Sequence, residues 1–530
     1  MEVCQDIQID PVLRDGNFTE LPMKQTANLR ANQILIVILS GIITLWYILL
    51  LWKRSKLYFH SWNVPGPMNL PFIGIAYLFL GTNATDIMGT LIKIQKQYPN
   101  YFKAWFGPKL LYFLSDPVHL EKVLTNPKSL NKDDLYDFIS EVIGTGIMTA
   151  KVKKWRKHRK VIMPAFNQKI LESFVEIFAD QSEVFADQLE KYVGRKDLDL
   201  FKLISSCTLD IICETAMGVK MNLQTTDCDF GHNLDKIMEI VTYRIFHIWQ
   251  HIRIMRMLFP MNWQFRNYEK KFRDFTTAVV KRKMEEYEAA KQNYRKSSLV
   301  AAIEEENPKR KLAFLDLILE NSNFTEKELI EEVEIFLIAG TDTTASAICC
   351  ILTMLGMFQD IQQKVYEEIF EIMGPDRKVV PADLPEMKYT ERVIKESLRI
   401  FPVAAFFVRS VGENIDMGEF VVPEGSSVFF GPVHIQRNPK YWPDPLKFDP
   451  DRFLPENVAK RHPCTYIPFS FGPRNCIGVR YAMMNMKTIL ANTLRRYKVF
   501  TQYKSIKEIK LKSNVVLRMK DGSKVWVESR

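Results

Sequence analysis

Cys476 lies in the segment Pro468-Phe469-Ser470-Phe471-Gly472-Pro473-Arg474-Asn475-Cys476-Ile477-Gly478, a tight loop that runs directly into a helical pattern reaching Arg496. The thiolate is the metal-ligating form of cysteine, and loop amides together with the positive end of a helix macrodipole favour it. Gly472 permits a turn that a side chain would block, Pro473 stiffens it, and Gly478 lets the following helix approach a flat object closely. Arg474 adds a guanidinium suited to a carboxylate or propionate. A second group is Ala339-Gly340-Thr341-Asp342-Thr343-Thr344. Glycine with β-branched and acidic residues is poor material for the middle of a helix, so a purpose other than helix stability is expected there. The third is Lys151 to Lys160, in which seven of ten residues are Lys or Arg. Trp155 and Arg159, at i, i+4, share one face of that helix. Its remaining cations are expected to face outward, and His158 to be a surface histidine.

The elements that position these groups read as mostly helical. Thr325 and Glu328 carry the pattern of a capping box and start a long amphipathic helix that contains the Gly340 segment. Glu396 and Arg399, at i, i+3, share a helix face. Strand-like runs near Leu110 to Leu114, Glu419 to Phe430 and the carboxyl end make small sheets. The polar run around Lys291 to Lys311 separates two helical patterns and reads as a mobile loop.

Upstream of all this, Ile34 to Trp52 form nineteen residues without a charge, close to the roughly 20 that span a bilayer as a helix. Trp46, Tyr47 and Trp52 fit an interfacial aromatic belt, and Lys53, Arg54 and Lys56 follow at once. The positive-inside rule then puts the amino terminus in the lumen and the bulk of the chain in the cytosol. An acidic stretch (Glu2, Asp6, Asp10, Asp15, Glu20) precedes the helix instead of the basic end of a cleaved signal peptide, so the segment is an anchor. The sequon Asn17-Phe18-Thr19 falls on the lumenal side. Val64-Pro65-Gly66-Pro67 ends helical structure and begins the globular part. The expected organisation is a lumenal tail over 1–33, a transmembrane anchor over 34–52, a basic and proline-rich linker over 53–67, and one catalytic domain over 68–530.

Composition excludes several classes. With 47% hydrophobic and 25% charged residues in 530, the chain is neither disordered, collagen-like nor a coiled-coil rod. A net charge of +10 is weak for a nucleic-acid binder of this size, so no nucleic-acid partner is expected. The eight cysteines include no C-x-x-C pair, which argues against a disulfide framework or structural zinc and fits a reducing compartment. All but Cys476 read as small buried apolar residues.

The Cys476 loop resembles the haem-binding loop of the cytochrome P450 family, F-x-x-G-x-R-x-C-x-G, at every specified position: Phe469, Gly472, Arg474, Cys476 and Gly478. Glu396-Ser397-Leu398-Arg399 resembles the family's E-x-x-R motif, and Phe448 to Phe453 its P-E-R-F region with Asp451 in place of Glu. The resemblance covers residues 64 to 530, and Tyr136-Asp137-Phe138, Gly144-Thr145-Gly146 and the Trp155 helix are most similar to the fourth-family microsomal group, which includes insect members. It implies a mainly α fold with small β-sheets, one amino-terminal transmembrane helix, and a buried charge cluster of Glu396, Arg399 and Arg452 behind the haem loop. It further implies a monooxygenase with haem b ligated by the Cys476 thiolate. Trp155, Arg159, Arg409 and Arg474 would contact the propionates, with Gly340, Phe469 and Gly478 against the haem, and Asp342 and Thr343 would be the acid and alcohol that relay protons. Tyr136, Phe138, Ile139, Phe336, Val403, Ala404 and Phe406 are pocket walls for a lipophilic substrate, or else ordinary core. Where several members carry a Glu that forms an ester to haem, this chain has Ala339, so non-covalent haem is expected. The implied partners are NADPH-cytochrome P450 reductase, cytochrome b5 and the endoplasmic reticulum membrane. Two alternatives on the same scaffold are a haem-thiolate isomerase or dehydratase that needs no reductase, and a non-enzymatic haem-binding sensor.

Overall fold

The computed structural model describes residues 23–226, 230–297 and 313–530, and the chain divides into two units, Met1–Trp62 and Asn63–Arg530. In the first, one helix runs Met23–Lys53 and a short one Ser55–Ser61. The helix thus begins before the expected anchor boundary, and part of the expected linker is itself helical. Its stretch Ala31–Lys53 is long and apolar enough to cross a bilayer, and none of its most apolar window is buried. The acidic stretch and Asn17 lie outside the described residues, as do Cys4 and Cys228.

The second unit is built on helices. The most central, Glu326–Met357, begins with the expected capping box: the Glu328 amide donates to Thr325 Oγ1 at 3.2 Å and the Thr325 amide to Glu328 Oε2 at 2.9 Å. From Leu329 onward most of its residues are buried, which is how a helix that is apolar nearly all round reaches stability in water. Its glycine has a packing reason as well. A Cβ at Gly340 would stand 2.7 Å from Ile212 Cδ1, so the missing side chain lets the helix Leu200–Met217 lie close alongside.

The strands are, in chain order, β1 (Tyr101–Phe106), β2 (Lys109–Leu114), β3 (Phe407–Ser410), β4 (Ile415–Asp416), β5 (Val421–Val422), β6 (Ser427–Phe430), β7 (Tyr497–Thr501), β8 (Leu511–Asn514), β9 (Val516–Met519) and β10 (Val525–Ser529). The largest sheet has the order β1-β2-β6-β3, with β2 and β6 parallel and the other pairs antiparallel. β4–β5, β7–β10 and β8–β9 are separate antiparallel pairs. The run Glu419 to Phe430 is two strands, not one, because Pro423 and Gly425, the latter at φ +81°, turn the chain between them. The Lys291–Lys311 run likewise differs from expectation: the helix Met261–Ser297 continues into it, and the rest lies outside the described residues. The proline segment is fixed against β1. The Lys103 amide donates to the Pro65 carbonyl at 2.9 Å, and a Cβ at Gly66 would fall 2.0 Å from the Lys103 carbonyl oxygen.

Candidate active site

The Cys476 loop is closed by its own backbone. The Cys476 amide donates to the Phe469 carbonyl at 2.9 Å and the Asn475 amide to that of Gly472 at 3.1 Å. Gly472 sits at φ +74°, where a Cβ would meet the Leu124 carbonyl oxygen at 2.4 Å, so the turn needs glycine twice over. At Gly478 a Cβ would meet nothing nearer than 3.9 Å; what glycine keeps open there is cavity. Cys476 itself retains accessible surface, and that surface belongs to the cavity rather than to bulk water. Burial accordingly pushes its thiol up, opposed by the Gly478 amide and the Arg159 charge.

That cavity, about 360 Å³, is shared by Cys476, Phe469 and Gly478 from the loop and by Ala339, Gly340, Thr343 and Thr344 from the central helix. Thr343 Oγ1 donates to the Ala339 carbonyl one turn back. Of the expected walls, Tyr136, Ile139, Phe336, Val403, Ala404 and Phe406 line it. Phe138 does not: its ring packs 5.0 Å from that of His251 and beneath Arg256. Its helix, Asp137–Ile143, is short, and successive residues point about 100° apart, so Ile139 faces the cavity and Phe138 turns away.

Asp342 is placed behind the cavity wall. It is 3% exposed and bound to the Arg518 guanidinium, with its second oxygen unpartnered. Burial pushes its carboxyl above the ordinary aspartate range and Arg518 opposes that. The structure therefore brings Thr343 to the cavity and leaves the neighbouring acid held elsewhere.

One wall of the cavity is cationic. Arg474 is 6% exposed; one nitrogen donates to the Ala150 carbonyl, while Nε and Nη1 have no partner. Burial, then repulsion from Arg409, pushes it down to about 9. Arg409, on β3, is almost fully buried, and burial lowers it too, against Tyr136. Lys132, which sequence reasoning missed, donates to Tyr136 Oη at 3.2 Å and is pushed well below the lysine range by burial, Arg409 and Arg474. Arg159 grips the loop through the Asn475 carbonyl at 2.9 Å and Oδ1 at 2.7 Å. Trp155 lies between, its ring 4.7 Å from the Arg474 guanidinium. Among the described residues lining the cavity, none is Asp or Glu.

His158 is a correction: it is fully buried. Its Nδ1 meets Glu332 Oε1 at 2.5 Å and its Nε2 Glu328 Oε1 at 3.3 Å, tying the helix Val152–Ile162 to the central helix. The spacing 155, 158, 162 marks the inward face; the density of cations around it hides the pattern. Of those cations, Lys153, Arg156, Lys157 and Lys160 do face outward, and Lys154 pairs with Glu331 at 2.8 Å.

Behind the loop, Glu396 and Arg399 are both fully buried. Arg399 donates Nε to Glu396 Oε2 at 2.7 Å and Nη2 to Oε1 at 2.9 Å, and Arg452 Nε stands 3.6 Å from Oε1. Gln436 continues the support, donating to the Leu398 carbonyl and accepting from the Ile467 amide at the start of the loop.

A family model described as Cytochrome P450 matches residues 64–526. The chain belongs to the cytochrome P450 family. Similar curated proteins include cytochrome P450 4c21 of Blattella germanica, 36% identical over 83% of this chain and 88% of that protein. Cytochrome P450 4c3 of Drosophila melanogaster is 33% identical over 93% and 94%, and cytochrome P450 4V2 of Homo sapiens 33% identical over 91% and 93%. This P450 is thus a haem-thiolate monooxygenase with fourth-family relatives, acting with a redox partner on lipophilic substrates. Its residues fit the cofactor. An apolar cavity opens onto the sole cysteine of the loop, and the unpartnered nitrogens of Arg474, with Arg409 and Lys132, leave a buried positive wall that two propionates would satisfy.

Proposed function

We propose that this P450 inserts one atom of O2 into a fatty acid, terpenoid or xenobiotic, using electrons from NADPH passed by NADPH-cytochrome P450 reductase, with cytochrome b5 as a second donor. The observation that carries the reading is the meeting of Cys476, Thr343 and an apolar wall in one cavity without an acidic lining residue. Bound there, haem b supplies oxygen activation, which a thiolate ligand favours. Cys476 would be that ligand and the only covalent link, since Ala339 stands where an ester-forming Glu would be. Trp155, Arg159, Arg409 and Arg474 would hold the propionates, with Gly340, Phe469 and Gly478 against the macrocycle. Phe336, Val403, Ala404 and Phe406 orient an apolar substrate and exclude water. Asp342 and Thr343 would move protons, the threonine hydroxyl being the member already at the cavity surface.

The domain is read as cytosolic on a single-pass anchor in the endoplasmic reticulum membrane, with the amino terminus lumenal. Lys53, Arg54 and Lys56 after the apolar helix support that orientation. The exposed Ile254, Leu258 and Trp263 support a membrane-facing surface on the catalytic unit. The exposed cations of the Val152–Ile162 helix suit an acidic electron donor.

The test is the spectrum of the reduced, CO-bound protein: the red-shifted Soret band of thiolate ligation is expected, and its absence from folded, haem-loaded protein refutes Cys476 as ligand. Incubation with reductase, NADPH, and dodecanoic acid, a terpenoid or a plant toxin then identifies substrate class from products. Turnover without reductase would favour the isomerase or dehydratase reading, and binding without turnover the sensor.

A further inference from the structure

The hairpin β8–β9 reaches two places at once. At its tip Val515 has φ +67°, a conformation that a β-branched residue rarely holds, and Val515 and Val516 line the cavity. Beside the tip, the Leu517 amide donates to the Val403 carbonyl at 2.8 Å, which joins the hairpin to another cavity wall. At its far side Arg518 is 8% exposed and shared between two carboxylates: Nη1 meets Asp235 at 2.5 Å and Nη2 meets Asp342. Asn514 Nδ2 also donates to Asp235, at 2.8 Å, and the guanidinium lies 4.0 Å from the Phe201 ring. Asp235 belongs to the helix Phe230–Phe246 and Asp342 to the central helix. One hairpin therefore touches the substrate space at its tip and holds the acid behind it through Arg518.

We propose that Arg518 is a positioning residue for proton delivery, holding Asp342 away from the cavity, and that Val515 at the tip of the same hairpin makes this hold depend on whether the cavity is filled. The proposal rests on the reading of Asp342 and Thr343 as the proton relay. Its physical basis is differential contact: a ligand that presses on a strained tip favours a hairpin position in which that tip relaxes, and a ligand can shift an equilibrium only through such a difference. Because Arg518 is shared, Asp342 can be released without leaving the guanidinium unpaired: Asp235 keeps it.

Two measurements on the holoenzyme test this. The first is amide hydrogen exchange across residues 511–519 with and without 1-dodecylimidazole, whose ring nitrogen ligates haem iron and whose chain must fill the apolar cavity. Binding is expected to speed exchange in the hairpin by about threefold or more, the scale of residue-level coupling, and to do so far less in Val515→Gly; unchanged or slowed exchange in the wild type overturns the proposal. The second is substrate-free NADPH oxidation with reductase, in which the electrons pass to O2 and leave as hydrogen peroxide. Arg518→Met is expected to raise that rate by about threefold or more, and adding Asp342→Asn to abolish the rise. Arg518→Lys, which keeps the charge, should restore most of the hold, and Arg518→Gln takes the place of the methionine variant if that one does not fold. If Asp342→Asn lowers turnover with dodecanoic acid while Arg518→Met, or Arg518→Gln in its place, leaves the idle rate unchanged, the relay stands and the positioning role fails. If Asp342→Asn changes nothing, the relay reading itself fails.

Discussion

Glu396→Ala removes the acceptor at the centre of the cluster behind the cysteine loop. Glu396 receives two bonds from Arg399, one from the Asp449 amide at 2.9 Å, and the nearby charge of Arg452. Both Glu396 and Arg399 are fully buried, so the surface value of about 0.2–0.5 kcal/mol for an i, i+3 pair does not apply. Breaking a buried pair by deleting one partner costs about 3–5 kcal/mol, because a desolvated charge is left behind. The lower end is expected here, since Arg399 keeps the carbonyls of Gln436 and Pro445, each at 2.8 Å. For a body of roughly 470 residues, an unfolding entropy of about 2.1 cal/mol/K per residue makes each kcal/mol worth about 1 °C in Tm. A loss of about 3 °C is therefore expected by calorimetry at a fixed scan rate. Glu396→Ala combined with Arg399→Met should lose less than the two single losses added, by about 2 kcal/mol. Strict additivity within about 0.5 kcal/mol would refute the idea that the two charges compensate one another.

Gly472→Ala should destabilise the loop and depress haem incorporation, read as the haem-to-protein absorbance ratio, since the turn combines φ +74° with a carbonyl 2.4 Å from the new carbon; full incorporation would show the loop to be adaptable. Acidified organic solvent should extract all haem from the purified protein, and retention on the chain would contradict the Ala339 argument. Glu334 is fully buried, and burial, opposed by Arg273, lifts its carboxyl from 4.5 to about 7. The folded state then holds a proton that the unfolded state has released, so its contribution is complete below 4.5 and is lost as pH rises through about 7, on the order of 3 kcal/mol over the interval. Glu334→Gln should flatten that slope in melts between pH 5 and 8, and an unchanged slope would exclude Glu334 as its source. Arg474→Met should raise or leave unaltered the Tm of haem-free protein and lower that of the haem-loaded form; the same sign in both would mean that Arg474 has no anionic partner.

The parts legible in the sequence are those whose cause is local. The Cys476 turn, the Thr325 cap and the Glu396–Arg399 pair each span a few residues, and local geometry forces their side chains together. What stays hidden joins distant parts of the chain. Arg518 meets Asp342 across 176 positions, and nothing in the spacing of either marks the other. Lys132 reaches the cationic wall because its segment pairs with β3 at Arg409, a register that only the folded sheet supplies. His158 misleads for a different reason: a helix so rich in cations looks solvated all round, yet Glu328 and Glu332 sit opposite one of its faces.

Buried charge in this protein divides into two kinds, and the division supports the proposed seat of the cofactor better than any single residue does. Glu396 with Arg399 and His158 with Glu332 are each closed within the chain. Such groups, once satisfied, fix helices and loops in one arrangement and demand nothing further. Arg474, Arg409 and Lys132 have no acidic partner: they crowd one another, burial lowers each of them, and among the described residues no acidic side chain lines the cavity they face. A buried donor left unpaired costs about 1–3 kcal/mol, more when charged. Arg474 keeps two such nitrogens, beside Arg409 and Lys132, and the wall they make therefore leaves room for negative charge from outside the chain. A ligand with an apolar body and an anionic edge would satisfy that wall beside Cys476, and haem with its two propionates has that form.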